Sequence, residues 1–233
     1  MLRTALIVAG GSGSRMGADI PKQFLPLAGK PVLVRTVAIF LALEVREIVL
    51  VLPTAHFDLW KETSADHLSQ DQLNRIHLTA GGASRTDSVK NGLLALADRI
   101  AEPEACLVAI HDGVRPLVPK SVIQQAFMDA EIKKASVVAV PVKASLRESD
   151  GGRSKAVDRS RFWEVQTPQT FHLSQILTCY QSLPEGSFTD DASLFEAMGG
   201  IVALTSGSYE NLKLTTPEDM IVAERILERR EKE

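Results

Sequence analysis

Three scarcities set the first limits on this chain. It has only two cysteines in 233 residues. Cys106 and Cys179 stand far apart in apolar surroundings, without C-x-x-C spacing, so both read as reduced core residues. No apolar run approaches the roughly 18–20 residues of a membrane span. MLRTALIVAGG is too short and too glycine-rich for a signal peptide. The expectation is a cytoplasmic protein with no membrane contact. Charge of one sign is scarce as well: the formal net charge is −3. No global basic field points to nucleic acid, so any anion must be held by local clusters.

Two phosphate motifs are also missing. No Gly-Lys-Ser/Thr occurs, which excludes a Walker A loop. A dinucleotide fingerprint starting at Gly11 and Gly13 would end on Met16, and Pro53 and Thr54 stand where the next strand should end in an acid.

What is present is ordinary for a globular protein: 45% hydrophobic and 24% charged residues. Short apolar runs (4–10, 47–53, 75–82, 106–113 and 135–142) alternate with helical patterns. One helix opens at Pro31, and others are expected over 55–68, 87–100 and from Pro119 onward. The near-continuous apolar strands predict an α/β fold with a mostly parallel sheet and helices on both faces. The segment 143–165 is polar and charged, and reads as a protruding β-arm suited to a partner subunit or as a surface loop. Helices over 173–183 and 189–198, short strands over 201–205 and 211–215, and a last helix capped by Thr216 complete the chain.

AGGSGSRMGADIPKQF, behind the first strand, has more glycine than a turn needs. It suits a triphosphate lying on backbone amides, with Arg15 and Lys22 reaching the phosphates, although a structural turn is the plainer alternative. In HDGVRP, Asp112 follows an apolar strand and is the best candidate for Mg²⁺, or else a turn cap. Arg115 nearby suits an anion or a pair with Asp112. GGASRTDSV offers Gly82, Arg85 and Ser88 to a base and ribose, while Asp87 is suited to an N-cap. Arg159, Thr167 and Thr189 stand in VDRS…VQTPQTF and FTDDAS. Lys213 alternates between Leu212 and Leu214 on an expected strand, facing either the site or solvent.

Taken in order from Gly10 to Asp219, AGGSGSRM…PKQF, GGASRTDSVKNG, HDGVRP, VDRS…VQTPQTF, FTDDAS and NLKLTTPED resemble the 2-C-methyl-D-erythritol 4-phosphate cytidylyltransferases. The resemblance implies one Rossmann-like nucleotidyltransferase domain over 1–233, with an arm at 141–165 used in a homodimer. It implies that Ala9, Gly10, Gly11, Gly82, Arg85 and Ser88 bind CTP. Arg15 and Lys22 would be the catalytic cations, and Asp112 the Mg²⁺ ligand. Arg115, Ser145, Arg159, Thr189 and Lys213 would hold the polyol phosphate, with Arg159 and Thr189 offered across the dimer. Ala144 and Ser145 depart from the acid and Thr of the family pattern. The ribitol-5-phosphate cytidylyltransferases share several of these strings and are the alternative. A sugar 1-phosphate nucleotidyltransferase and a non-catalytic nucleotide-binding regulator stand further off.

Overall fold

The apolar runs become strands, and all but the half-buried 75–82 edge run are covered on both faces. The computed structural model describes residues 1–11, 20–43, 45–182 and 188–232. In its first half β1 (Leu2–Val8), α1 (Val32–Leu41), β2 (Glu47–Leu52), α2 (Phe57–Ala65), α3 (Gln70–Leu73) and β3 (Ile76–Ala80) follow one another. Then come α4 (Arg85–Ala97), β4 (Cys106–Asp112), α5 (Lys120–Lys133) and β5 (Ala135–Pro141). The second half holds the hairpin β6 (Leu146–Ser149) and β7 (Ser154–Val157), then β8 (Trp163–His172) and α6 (Leu173–Gln181). It ends with α7 (Asp191–Ala197), β9 (Ala203–Ser206) and α8 (Pro217–Arg230).

Among the described residues, seven strands form one sheet in the order β9-β5-β8-β4-β1-β2-β3. The β1–β2, β2–β3, β1–β4 and β5–β9 pairs are parallel. β8 runs antiparallel between β4 and β5. The chain leaves β1 towards β2 and β3, then crosses back to β4 on the other side. That reversal opens a crevice at the carboxyl ends of β1 and β4. Strand alternation divides the core in two. Ala5, Ile7, Ile48 and Leu50 pack with α1 and α5, while Leu6, Val49 and Val51 face α4, α6 and α7. The fold is therefore α/β, with a mostly parallel sheet and helices on both faces.

Several expectations need correction. No strand forms over 211–215. Leu214 is buried with Leu27, Val32 and Leu117, as its alternation suggests. Yet the segment takes a single backbone bond from a neighbouring segment among the described residues, Leu214 N–H to the Val114 carbonyl at 2.9 Å, too few for a ladder. The strand expected over 201–205 starts two residues later, at Ala203. The helix expected over 55–68 ends early, at Ala65, and Ser69 then caps a separate short helix, α3. The Ser69 Oγ accepts from Gln72 N–H (3.3 Å) while Gln72 Oε1 accepts from Ser69 N–H (3.0 Å). Of the arm over 143–165, the separate hairpin occupies only 146–157. Trp163–Val165 pair with Pro141–Ala139 as the outer end of β8. Cys106 and Cys179 are free and buried, as expected.

Candidate active site

The carboxyl ends of β1, β2, β3 and β4 surround a cleft of about 590 Å³. Ala9, Gly10 and Gly11 follow β1 into its wall, Gly81 to Ser84 follow β3, and Asp112 closes β4. The second glycine turn is built for close approach. A Cβ on Gly82 would stand 2.3 Å from Asp87 Cβ, so glycine alone lets the turn fold onto the start of α4. Ser88, 5% exposed, fastens that turn: its Oγ accepts from Gly82 N–H (3.0 Å) and donates to the Ser84 carbonyl (2.9 Å). Asp87 completes the capping box with Ser84. On the first loop, buried Gln23 donates from Nε2 to the Ala9 carbonyl at 3.0 Å. Lys22 enters the cleft beside it, its Cε 3.9 Å from where a Gly11 Cβ would be.

Asp112 is the electrostatic centre. Its Oδ2 lies 3.1 Å from Lys213 Nζ and 3.2 Å from Arg115 Nε. Burial alone would raise the carboxyl's pKa. Lys213 first, then Arg115, Arg85 and His111 outweigh that and hold it down at about 2. The group is ionised at any physiological pH. Its backbone N–H donates to Thr167 Oγ1 at 3.0 Å. That hydroxyl stands in for a ladder carbonyl, because the β8–β4 pairing ends at Gln169–Ile110, short of Asp112. Asn211, fully buried, donates to the Thr167 carbonyl (2.8 Å) and Gln166 Oε1 (3.1 Å), which anchors the start of the Lys213 segment.

Arg85 reaches the cleft but is not free to wander there. Two of its nitrogens donate to Asp191 at 2.9 and 2.7 Å, a bidentate pair on a carboxylate with no exposure. Burial works against the guanidinium charge, and Asp191 more than restores it, raising the Arg85 pKa. Tyr180 donates its hydroxyl to the same carboxylate, and burial beside that charge raises its own pKa.

Of the expected residues, Ala9, Gly10, Gly11, Lys22, Gly82, Arg85, Ser88, Asp112 and Lys213 therefore share one cleft. Lys213 is not on a strand, and its ammonium faces Asp112 instead of pointing away into solvent. Arg115, Ser145, Arg159 and Thr189 are not in the cleft wall among the described residues. Arg115 is held behind it, between Asp112 and the Asn211 carbonyl (2.7 Å). Ser145 and Arg159 are exposed at the base of the hairpin, where Arg159 donates to the Lys143 carbonyl. Thr189 is exposed just before α7. Arg15 lies outside the described residues. Gln23, Asp191, Tyr180 and Asn211 escape sequence reasoning. Gln23, Asp191 and Asn211 stand inside strings already singled out, but nothing in their spacing marks what they hold. Among the described residues, no group of three or more His, Cys, Asp or Glu could hold a metal, and no helix is long and apolar enough to cross a membrane.

A family model described as IspD, 2-C-methyl-D-erythritol 4-phosphate cytidylyltransferase, matches residues 3–229. A protein of that name from Bacteroides fragilis is 44% identical over 229 residues, covering 97% of this chain and 100% of its own. One from Porphyromonas gingivalis is 47% identical over 226 residues, with 97% of each chain covered. The crystal structure of 4-diphosphocytidyl-2C-methyl-D-erythritol synthase from Anaerococcus prevotii superposes with a TM-score of 0.82 at 28% identity, covering 97% of this chain and 96% of that one. That of the cytidylyltransferase from Thermus thermophilus gives 0.76 at 28% identity, over 98% and 100%. Fold, motif order and full-length likeness agree, and the chain belongs to the 2-C-methyl-D-erythritol 4-phosphate cytidylyltransferase family of CTP-dependent nucleotidyltransferases.

Proposed function

We propose that this enzyme transfers CMP from CTP to 2-C-methyl-D-erythritol 4-phosphate in the cytoplasm, giving 4-diphosphocytidyl-2-C-methyl-D-erythritol and pyrophosphate. One observation carries the reading: an ionised carboxylate at the switch point, ringed by cations and facing two glycine turns. That combination suits a polyanionic nucleotide, whose phosphates lie against backbone amides and positive charge. Ala9, Gly10, Gly11, Gly82 and Ser88 form the bed for cytidine and its phosphates. Arg85 adds a fixed positive charge to that side.

Both reactants are anions, so the enzyme must first cancel their repulsion. Arg15 and Lys22 sit on the triphosphate and stabilise charge on the α-phosphoryl oxygens as the polyol phosphate oxygen attacks in line. Lys213 and Arg115 border the polyol-phosphate side, and orient the attacking group. The donor set fits Mg²⁺: among the described residues a single ionised carboxylate, without a protein cage, matches a cation that is otherwise bound by substrate phosphates and water. Asp112 holds it, and when bound it supplies charge against the triphosphate.

The arm completes the site from a second copy. Ser145, Arg159 and Thr189 are exposed and stand outside their own chain's cleft wall. Phe162, Trp163 and Val165, 40–44% exposed at the base of the hairpin, give a homodimer an apolar seam. The 141–165 arm is thus an appendage of one domain, and brings Arg159 to the partner's polyol phosphate, while the neighbouring turn before α7 brings Thr189.

The test is pyrophosphate release with Mg²⁺, each nucleoside triphosphate in turn, and either methylerythritol phosphate or ribitol 5-phosphate. Activity is expected with CTP and methylerythritol phosphate; activity with ribitol phosphate alone overturns the substrate. Arg15→Ala and Lys22→Ala are expected to lower kcat by about 10²–10³, while Arg159→Ala raises chiefly the polyol-phosphate KM. Wild-type turnover in Arg15→Ala removes Arg15 from the mechanism.

A further inference from the structure

The Asp191 carboxylate is fully buried, yet it takes three donors from two places: two from Arg85 and one from Tyr180. Arg85 is the first residue of α4, and Asp191 the first of α7. One carboxylate therefore ties together two helix starts that are 106 residues apart. The first start leads into this chain's own cleft, and the second follows the Thr189 turn, which the functional reading offers to the partner's polyol phosphate. Before α4 lies the Gly81–Ser84 turn of the cleft wall. Before α7 lies Thr189, followed by the cap residue Asp190. Gln169 of β8 also grips the α7 start: its Nε2 donates to Asp190 Oδ2 (2.8 Å) and its Oε1 accepts from Ala192 N–H (2.9 Å).

A buried ion pair is a poor device for stability alone, because desolvation offsets most of the attraction. This one has an unequal geometry that suggests another use. The Arg85 side chain is 36% exposed and lines the cleft, while its partner is wholly covered. Arg85 also feels Asp112 across the cleft. Two of its donors are spent on Asp191, and the planar fork fixes the direction of the rest.

We propose that Asp191 is a positioning residue that couples two substrate sides across the dimer, holding Arg85 towards the nucleotide of its own cleft and the Thr189 turn towards the partner's polyol phosphate as one unit. The proposal rests on the functional reading above, in which the cleft takes CTP and Thr189 serves the second substrate. Asp191 touches neither substrate. It acts through Arg85 on one side and through the start of α7 on the other.

Steady-state kinetics of full-length Asp191→Asn tests this, with circular dichroism to verify the fold. KM is expected to rise about tenfold for both CTP and the polyol phosphate. Arg85→Gln, by contrast, raises only the CTP KM, and Asp191→Glu, which keeps the charge, recovers much of both. A merely structural role would lower the folded fraction and leave both KM values in place. Both values within about twofold of wild type would overturn the proposal. Asp191→Asn strands the Arg85 charge and can fail to fold, so the double variant Arg85→Gln/Asp191→Asn, which removes both charges, is compared with Arg85→Gln. The expected result is an equal CTP KM in the two and a higher polyol-phosphate KM in the double variant alone. An unchanged polyol-phosphate KM there overturns the coupling. If wild-type enzyme releases no pyrophosphate from CTP with either polyol phosphate, the functional reading itself fails, and this inference with it.

Discussion

Replacing Thr167 with Val probes how Asp112 is aimed while changing little else. Valine has the shape of threonine without the hydroxyl. In the native protein that hydroxyl accepts the buried Asp112 N–H at 3.0 Å. No ladder carbonyl takes its place, since the β8–β4 pairing ends at Gln169–Ile110. The Thr167 carbonyl stays pinned by Asn211 at 2.8 Å, so the strand itself should not move. The variant therefore isolates one orphaned donor, which costs about 1–3 kcal/mol. For a chain of this size each kcal/mol lowers Tm by about 2–4 °C, so thermal unfolding should fall by roughly 5 °C. The orphaned N–H will seek another acceptor and displace the carboxylate, and a misplacement near 1 Å costs up to about 10²-fold in kcat. Thr167→Ser restores the acceptor, and both quantities with it. The reasoning is refuted if Thr167→Val melts and turns over like wild type, or if Thr167→Ser is equally damaged.

Two further predictions come from the same neighbourhood. Lys213→Met leaves Arg115 on Asp112 and removes a half-exposed cation, so stability should change by no more than about 1 kcal/mol. The polyol-phosphate KM is expected to rise about tenfold, which initial-rate measurements at saturating CTP will show. Burial, opposed by Asp112 and the Arg115 carbonyl, lowers the His111 pKa from 6.5 to about 4. The unfolded chain therefore takes up that proton first. The contribution of His111 to stability is complete above pH 6.5 and is lost as pH falls towards 4, on the order of 3 kcal/mol in all. Denaturant unfolding across that window should show the decline, and His111→Asn should flatten it; an equal slope in the variant rejects the assignment.

What was legible in the sequence had a local cause. Near-continuous apolar runs need two covered faces, which forces a mostly parallel sheet, and Asp112 ends one of those runs at the crevice. Glycine crowding marked the Gly81–Gly82 turn of the cleft, where close backbone approach to Asp87 leaves no room for a Cβ. β8 could not be read in this way. Gln166, Thr167, Gln169, Thr170 and His172 are all buried, yet a string so polar, interrupted by Pro168, looks like a loop. Its burial is offset by partners that are remote in sequence: Gln169 by Asp190 and Ala192, Gln166 by Ser208 and Asn211, and Thr167 by Asp112. A buried amide is tolerable only when satisfied, and nothing near it in the chain says where its partner lies.

The 211–215 segment failed for the complementary reason. Its Leu-Lys-Leu alternation is real and drives Leu214 into the core, but alternation reports which side is buried and not whether a neighbouring strand exists. The same limit governed the arginines. The sequence offered Arg85 to a base and ribose and Arg115 to an anion or to Asp112, and both stand beside carboxylates. It could not tell a guanidinium offered to a ligand from one already forked onto Asp191, because that distinction depends on a residue 106 positions away. The cations of this site are therefore of two kinds. Lys22 and Lys213 line the cleft as compact ammonium charges, Lys213 paired with Asp112. Arg85 and Arg115 are held rigidly by protein acceptors, and set the field in which the lysines work. Substituting a held arginine should disturb the aim of its neighbours, whereas substituting a lysine should remove one contact and leave the rest in place.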